Sequence, residues 1–340
     1  MGWRRVDDLS DRIGRAVLGM LPHGHPVDEL ARFHALMRDY PERGGKRIRG
    51  VLVMLSTEAH GGDPERALPV AAALELFQNW VLVHDDIEDD SEERRGSPAL
   101  HRTVGLAVAL NVGDAMHVCM WAALLDLQQA LGFDADAIRR EFLWMIGRTA
   151  EGQHLDLAWV EQGAFAITEA DYLAMVQLKT SAYTVTSPLR LGAHASAVEP
   201  DPAFGSIGDR LGAAFQIRDD VLNLTPRVAG QRYGKEFAGD LLEGKRTLVL
   251  AHLLAQATRA DADEVARRLA APRPNRTEAD VAWILERMAH YDSIRYAQHE
   301  AEKLAKDALA DLREVLAPLP GRSAVRQMEA LLQTLAERTH

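Results

Sequence analysis

The 340-residue chain is long enough for one large domain or two of ordinary size. With 47% hydrophobic and 26% charged residues it has an ordinary globular balance, which excludes wholesale disorder. Its 39 basic and 50 acidic side chains leave a net charge of −11. That disfavours a general nucleic-acid binder but leaves room for local basic pockets that take small anions.

Helical periodicity runs almost from end to end. Val6, Leu9, Ile13, Val17 and Met20 share one face near the N-terminus. The first fourteen residues lack the apolar stretch of a targeting signal and carry acids early. Gly44-Gly45-Lys46-Arg47-Ile48-Arg49-Gly50 then sets Lys46 and Arg49 on one helical face, just past a glycine pair. The most apolar run, Val70 to Val83, is interrupted by Glu75, Gln78 and Asn79. It falls short of the roughly 20 residues a membrane span needs, so no span is expected. Cys119 is the only cysteine, which excludes an internal disulfide and makes a reducing cytoplasm the simplest compartment. Its neighbours Val118, Met120 and Trp121 predict a buried core position. Pro188 falls inside a helical pattern, Ala182 to Ala193, and predicts a kink. Pro272 to Asn275 is the only candidate domain boundary, and it is short. Ile294, Ala297, Ala301, Leu304, Ala308 and Leu312 make a last apolar face. No stretch alternates with a period of two, so no sheet is expected. The expected architecture is one all-α domain over residues 1–340, a large bundle of about ten helices.

The strongest local signal is His84 to Gly96, HDDIEDDSEERRG. On a helix Asp85 and Asp89 share a face, with Asp86 beside them. Like charges at that spacing repel unless a cation sits there, and oxygen-only ligands suit a hard ion, Mg²⁺ above all. A solvated acidic face is the bland alternative. The preceding Trp80-Val81-Leu82-Val83 weighs against it, because the acids then end a buried helix. Phe215 to Asn223, FQIRDDVLN, repeats the geometry with Asp219, Asp220 and Asn223. Acids projecting from facing helices are a common way to hold metal in a bundle. Cations accompany both clusters: Arg94 and Arg95 after the first, Lys235 and Lys245 after the second, and Lys179 ahead of Pro188. Arg forks two phosphate oxygens and Lys supplies a point charge, so together they fit diphosphates.

Near misses narrow the field. Asp86 to Ser97 fails as a calcium loop, with Ser91 where Gly is required and Ser97 where Glu is required. Gly239 to Lys245 fails as a nucleotide P-loop, because Arg246 follows the lysine and no strand precedes it. No H-E-x-x-H or G-x-S-x-G pattern occurs.

The residues resemble the trans-isoprenyl diphosphate synthases, or polyprenyl synthetases. The resemblance covers most of the chain: Gly44 to Arg49, Gln78, Asp85-Asp86-x-x-Asp89, Arg94-Arg95-Gly96 and Asn111-x-Gly113-Asp114. It continues through Gly152-Gln153-x-x-Asp156, Lys179-Thr180, Gln216, Asp219-Asp220, Gly234-Lys235 and Asp240-x-x-x-Gly244-Lys245. One departure is Asn223, where the second motif usually ends in Asp; some geranylgeranyl diphosphate synthases are similar in this. The resemblance implies an all-α isoprenoid-synthase fold around a deep central cavity, usually as a homodimer. It implies that Asp85, Asp86, Asp89, Asp219 and Asp220 hold about three Mg²⁺ ions on an allylic diphosphate. Arg94, Lys179, Lys235 and Lys245 would contact that diphosphate. Lys46, Arg49, Gln78 and Arg95 would bind isopentenyl diphosphate. Thr180 and Gln216 would lie near the developing carbocation.

In the family a bulky residue four or five positions before the first aspartate acts as the cavity floor. Here those positions are Val81 and Trp80, with Phe77 about one turn below. That pattern resembles an enzyme that stops at geranylgeranyl diphosphate, with farnesyl diphosphate and longer polyprenyl products as alternatives. A class I terpene cyclase, a non-catalytic partner subunit and a metal-buffering helical protein are the other readings. The Asp219-Asp220 pair and the Gly44 to Arg49 motif weigh against the cyclase, the five aspartates kept of six against the partner subunit, and the paired cations against metal buffering.

Overall fold

The computed structural model describes residues 2–225 and 237–336. In chain order the helices are α1 (Gly2–Met20), α2 (Asp28–Glu42), α3 (Ile48–Ala59), α4 (Pro64–Glu88), α5 (Leu100–Val104), α6 (Leu106–Leu125) and α7 (Leu127–Leu131). Then come α8 (Asp136–Glu161), α9 (Glu169–Val176), a π-helical segment (Gln177–Thr186), α10 (Ser187–Ala195) and α11 (Phe204–Asn223). The chain ends with α12 (Gly239–Glu243), α13 (Leu248–Gln256), α14 (Arg259–Leu269), α15 (Glu278–His290), α16 (Ser293–Leu316) and α17 (Arg322–Ala336). The all-α expectation holds, with more helices than the ten expected. The surplus includes α5, α7 and α12, each five residues long and too short to show a period.

The only sheet among the described residues is an antiparallel hairpin of β1 (Glu93–Arg94) and β2 (Ser97–Pro98). No sheet was expected, and two-residue strands leave no alternation to read. The turn itself is specific: Arg95 at φ 55° and Gly96 at φ 75° are the two left-handed residues that close a two-residue hairpin.

Helix starts follow local chemistry. Asp63 caps α4 by accepting the Glu65 N–H, with Pro64 at the first helical position. Thr168 with Asp171, and Thr277 with Asp280, form capping boxes at α9 and α15.

Backbone packing divides the chain into two compact units. Unit 1 is residues 1–144, 185–204 and 313–330; unit 2 is residues 145–184, 205–312 and 331–340. The divisions fall inside α8, the π-helical segment, α11, α16 and α17, whereas Pro272 to Asn275 lies within unit 2. In unit 1, α4 is the central helix, packed against α1, α3 and α6, while α3 also packs on α10. Val6, Leu9, Ile13 and Val17 are buried as the periodicity predicts. In unit 2, α13 packs on α9, α14 and α15, and Ala297, Ala301, Ala308 and Leu312 of α16 are buried.

Two helices, α4 and α6, are long and apolar enough to cross a membrane by length and composition. The most apolar stretch of α4 is 67% buried, as befits a core helix. That of α6 is 33% buried, with Leu106, Leu110, Val118 and Leu125 exposed. Cys119, on α6, is half-buried rather than a core residue, because α6 turns one face away from unit 1's core. Its partial burial raises the thiol pKa and disfavours the thiolate.

Candidate active site

The spacing of the first acidic cluster is helical, as the sequence predicts. α4 ends at Glu88, Asp89 is its C-cap, and the Asp89 N–H bonds the Asp85 carbonyl at 2.8 Å. Asp85 and Asp89 are half-buried, and Asp86 is 1% exposed. The hairpin brings Arg94 back onto this cluster. Its Nε donates to Asp86 Oδ1 at 2.8 Å and its Nη2 to Asp85 Oδ2 at 3.3 Å, with a further Nη2 bond to Asp86 Oδ1. The other Asp86 oxygen accepts the hydroxyl of buried Tyr40, which in turn accepts the Leu100 N–H at 3.0 Å. Burial opposes the Arg94 charge, but Asp86 and Asp85 outweigh it and hold the guanidinium more firmly charged than usual. Burial, together with Asp86, raises Tyr40 and keeps it a hydrogen-bond donor.

Next to this ion pair lies a crowd of cations. Arg95 donates to the Tyr40 carbonyl at 2.6 Å and to Asn79 Oδ1 at 3.2 Å. Burial lowers Arg95 to about 10; Glu75 works against the shift, while Arg94, Arg47 and Arg43 add to it. Such a cluster favours an anion beside it. Glu75, 4% exposed, accepts the Gly50 N–H at 2.8 Å and so ties the first turn of α3 to α4. Gln78, 7% exposed, has an Oε1 with no hydrogen-bond partner among the described residues. Lys46 and Arg49 do not share a helix, contrary to expectation. α3 begins at Ile48 after a left-handed Arg47 (φ 47°), so Lys46 sits exposed in the preceding loop and Arg49 in the first turn.

Unit 2 repeats the pattern with different partners. Asp220, 5% exposed, accepts from Tyr172 Oη at 2.7 Å and from Gln216 Nε2 at 2.7 Å. Thr180 Oγ1 donates to Gln216 Oε1 at 3.0 Å, so Thr180, Gln216 and Asp220 form one chain of hydrogen bonds. Lys179 Nζ bonds Asp156 Oδ2 at 2.6 Å. Lys245 pairs with Glu243 at 2.8 Å and stands 4.0 Å from Asp240. Burial pushes the Asp220 carboxyl well above the carboxylate range; Asp240 and Asp219 add to it, against the bonds from Gln216 and Tyr172. A divalent cation beside these carboxylates would favour their charged forms. Among the described residues no three His, Cys, Asp or Glu side chains converge enough to hold a metal alone.

Asp86 and Asp220 were expected as metal ligands. The protein itself also binds each of them on both oxygens. Asn223, 2% exposed, accepts the Asp240 N–H at 3.1 Å through Oδ1, while its carbonyl accepts the Ala238 N–H at 2.9 Å. The departure from Asp thus sits in a structural tie between the end of α11 and the start of α12. Lys235 lies outside the described residues.

Lys179 and Thr180 are carried by the π-helical segment, which ends at Thr186, two residues before Pro188 in the first turn of α10. The expected kink is therefore a ten-residue stretch of wider winding, upstream of the proline. Gly152 of α8 permits it: a Cβ there would lie 2.2 Å from the Lys179 backbone nitrogen. Phe77 is buried, and Trp80 and Val81 are half-buried on α4. Sequence reasoning gave no role to Tyr40, Tyr172 or Asp156. It noted Glu75 and Asn79 only as interruptions of an apolar run, and their i, i+4 spacing was the available signal.

The profile described as "Polyprenyl synthetase" matches residues 31–288. A short chain isoprenyl diphosphate synthase of Methanothermobacter thermautotrophicus is 33% identical over 287 residues, covering 81% of this chain and 84% of the relative. The crystal structure of a geranylgeranyl pyrophosphate synthetase from Pyrococcus horikoshii superposes with a TM-score of 0.82 at 30% identity, covering 99% and 98% of the two chains. A geranylgeranyl pyrophosphate synthase from Corynebacterium glutamicum, crystallised with isoprenyl diphosphate and magnesium, gives 0.81 at 28% identity and 98% coverage of both. The profile spans more than half the chain, so the chain belongs to the polyprenyl synthetase family and is a prenyltransferase of the isoprenyl diphosphate synthase type.

Proposed function

We propose that the chain condenses isopentenyl diphosphate head to tail with an allylic diphosphate, releasing diphosphate and forming geranylgeranyl diphosphate. The observation that carries this reading is the repeated pairing of a crowded carboxylate cluster with buried or half-buried cations, once in each unit. The family match runs through both units, and we read residues 1–340 as one synthase domain.

In unit 1, Asp85 and Asp89 offer carboxylates to Mg²⁺, and Asp86 keeps Arg94 in place for a diphosphate. Arg95, Lys46, Arg49 and the unpartnered amide oxygen side of Gln78 make the isopentenyl diphosphate subsite. In unit 2, Asp219 and Asp220 offer carboxylates, Lys179 and Lys245 meet phosphate oxygens, and Thr180 and Gln216 stabilise positive charge on carbon. Lys235 joins the diphosphate ligands. Mg²⁺, when bound, supplies electrostatic stabilisation of the leaving diphosphate. The allylic carbon–oxygen bond breaks with its electron pair on oxygen, the double bond of isopentenyl diphosphate attacks the cation, and a proton is lost. No side-chain base is assigned, so the released diphosphate takes that proton.

Trp80, with Phe77 beneath it and Val81 beside it, is the floor that stops the tail at twenty carbons. Product analysis with labelled isopentenyl diphosphate tests the whole reading. The native enzyme is expected to give the twenty-carbon product, Trp80→Ala a product longer by at least one five-carbon unit, and Val81→Phe a shorter one. A main product of fifteen carbons would favour farnesyl diphosphate, and an unchanged Trp80→Ala distribution would place the floor elsewhere.

Asn223→Asp keeps an acceptor for the Asp240 N–H and adds a charge. Turnover is expected to stay within about tenfold, or ~1.4 kcal/mol, when both forms are compared across a Mg²⁺ titration.

We further propose a cytoplasmic homodimer. The exposed apolar face of α6, with Val118 at 68%, Leu125 at 67% and Leu110 at 42%, supports it, as does Leu143 of α8 at 60%. Sedimentation should show a dimer for the native chain and a monomer for Leu110→Asp/Val118→Asp.

A further inference from the structure

The Trp80 ring is braced by a second helix. His117, on α6, lies flat against it, with ring centroids 4.1 Å apart and planes 4° from parallel. Four residues on, Trp121 donates its indole N–H to His117 Nε2 at 2.7 Å. With Nε2 accepting, the proton of a neutral imidazole sits on Nδ1, and the bond from Trp121 orients the ring. Partial burial lowers the His117 pKa and favours this neutral form, although Asp114 works against the shift. Two other rings complete the surroundings of Trp80: Phe77 edge-on at 5.4 Å and 75°, and His84 at 5.9 Å and 80°. Both of these stand on α4 itself and move with it.

The indole N–H of Trp80 is buried and has no hydrogen-bond partner among the described residues. No polar contact therefore aims this ring, and packing alone selects its rotamer. Edge contacts from Phe77 and His84 limit its swing along α4. The flat face of His117 is a contact from another helix, α6, and removing it opens space on that side.

We propose that His117 is a positioning residue for product length. Its imidazole, oriented by Trp121, holds the Trp80 indole across the path of the growing tail, so chain length is set jointly by α4 and α6. This rests on the reading of Trp80 as the floor. The ligand recognised is the apolar end of a prenyl chain, and specificity lies in where that end is stopped.

The test uses the full-length enzyme with Mg²⁺, an allylic primer and labelled isopentenyl diphosphate, with products resolved by chromatography. Four variants are compared: Trp80→Ala, His117→Ala, His117→Phe and the Trp80→Ala/His117→Ala double. His117→Ala is expected to move the main product up by at least one five-carbon unit, with the first condensation within about threefold of native. His117→Phe keeps a flat ring and should keep the native distribution, which also serves if the alanine variant is too unstable. The double variant should go no further than Trp80→Ala, because both changes release the same ring. A native distribution in His117→Ala, beside a lengthened one in Trp80→Ala, overturns the proposal and leaves the floor standing. A double variant that lengthens beyond Trp80→Ala overturns it too, since His117 would then block the tail by itself. A native distribution in Trp80→Ala removes the floor reading and this proposal with it.

Discussion

Asp219→Ala is expected to lower turnover by at least about 10²-fold, the usual consequence of losing one key electrostatic group at a site of developing charge. Asp219 stands at the end of α11, beside a carboxyl already forced upward by burial and by Asp240. Its own charge adds to that pressure, less than burial and Asp240 do. In the variant the demand for a cation falls. Melting curves in chelator and steady-state rates over a range of Mg²⁺ concentrations separate these effects. Turnover near the native value at saturating Mg²⁺ would overturn the assignment of the second cluster. A large drop in melting temperature in chelator would show a structural role instead.

Asp86→Ala should lose both turnover and stability. The side chain is 1% exposed and accepts from Arg94 and Tyr40 at once. Its removal leaves a buried guanidinium with only the longer contact to Asp85, and a buried hydroxyl without its acceptor. Breaking a buried ion pair from one side costs about 3–5 kcal/mol. Turnover is expected to fall at least about 10²-fold, because Arg94 is then free to leave the diphosphate subsite. Tyr40→Phe is the milder companion: it removes one hydrogen bond to Asp86 and leaves Arg94 in place. Denaturant unfolding and initial rates on all three proteins check this. An Asp86→Ala protein as stable as the native one would contradict the pairing described above.

The aspartate clusters were legible because their geometry is local. Asp85 and Asp89 share a helical turn, and the apolar residues ahead of them showed which way the helix was buried. The tyrosines that hold Asp86 and Asp220 were not legible, since they lie 46 and 48 residues away along the chain. Nothing in the pattern around Tyr40 or Tyr172 marks a partner at that range. Arg94 and Arg95 were recognised as companions of the first cluster, but as residues following a helix. A two-residue hairpin delivers them, and its signature is only the backbone sign at Arg95 and Gly96. Lys46 was placed on a helical face with Arg49 because the left-handed Arg47 that delays α3 to Ile48 leaves no compositional trace. His117 was invisible for a different reason: an imidazole in an apolar helix reads alike whether it packs, binds or braces.

The ten-residue π segment under Lys179 has a consequence for insertions and deletions. A π turn holds about one residue more than an α turn of the same hydrogen-bonded ladder. Deleting one residue between Ser181 and Thr186 would let the ladder close as an ordinary α-helix, with better backbone geometry and a shorter chain. Every bond of the ladder would also change partner by one residue. Lys179 faces Asp156 and its backbone nearly touches Gly152, so α8 holds that end of the segment in place. The change of partners would then fall on the far end, at Thr186. In this stretch the number of residues matters more than their identity: a single-codon deletion is expected to be worse tolerated here than most substitutions at the same positions.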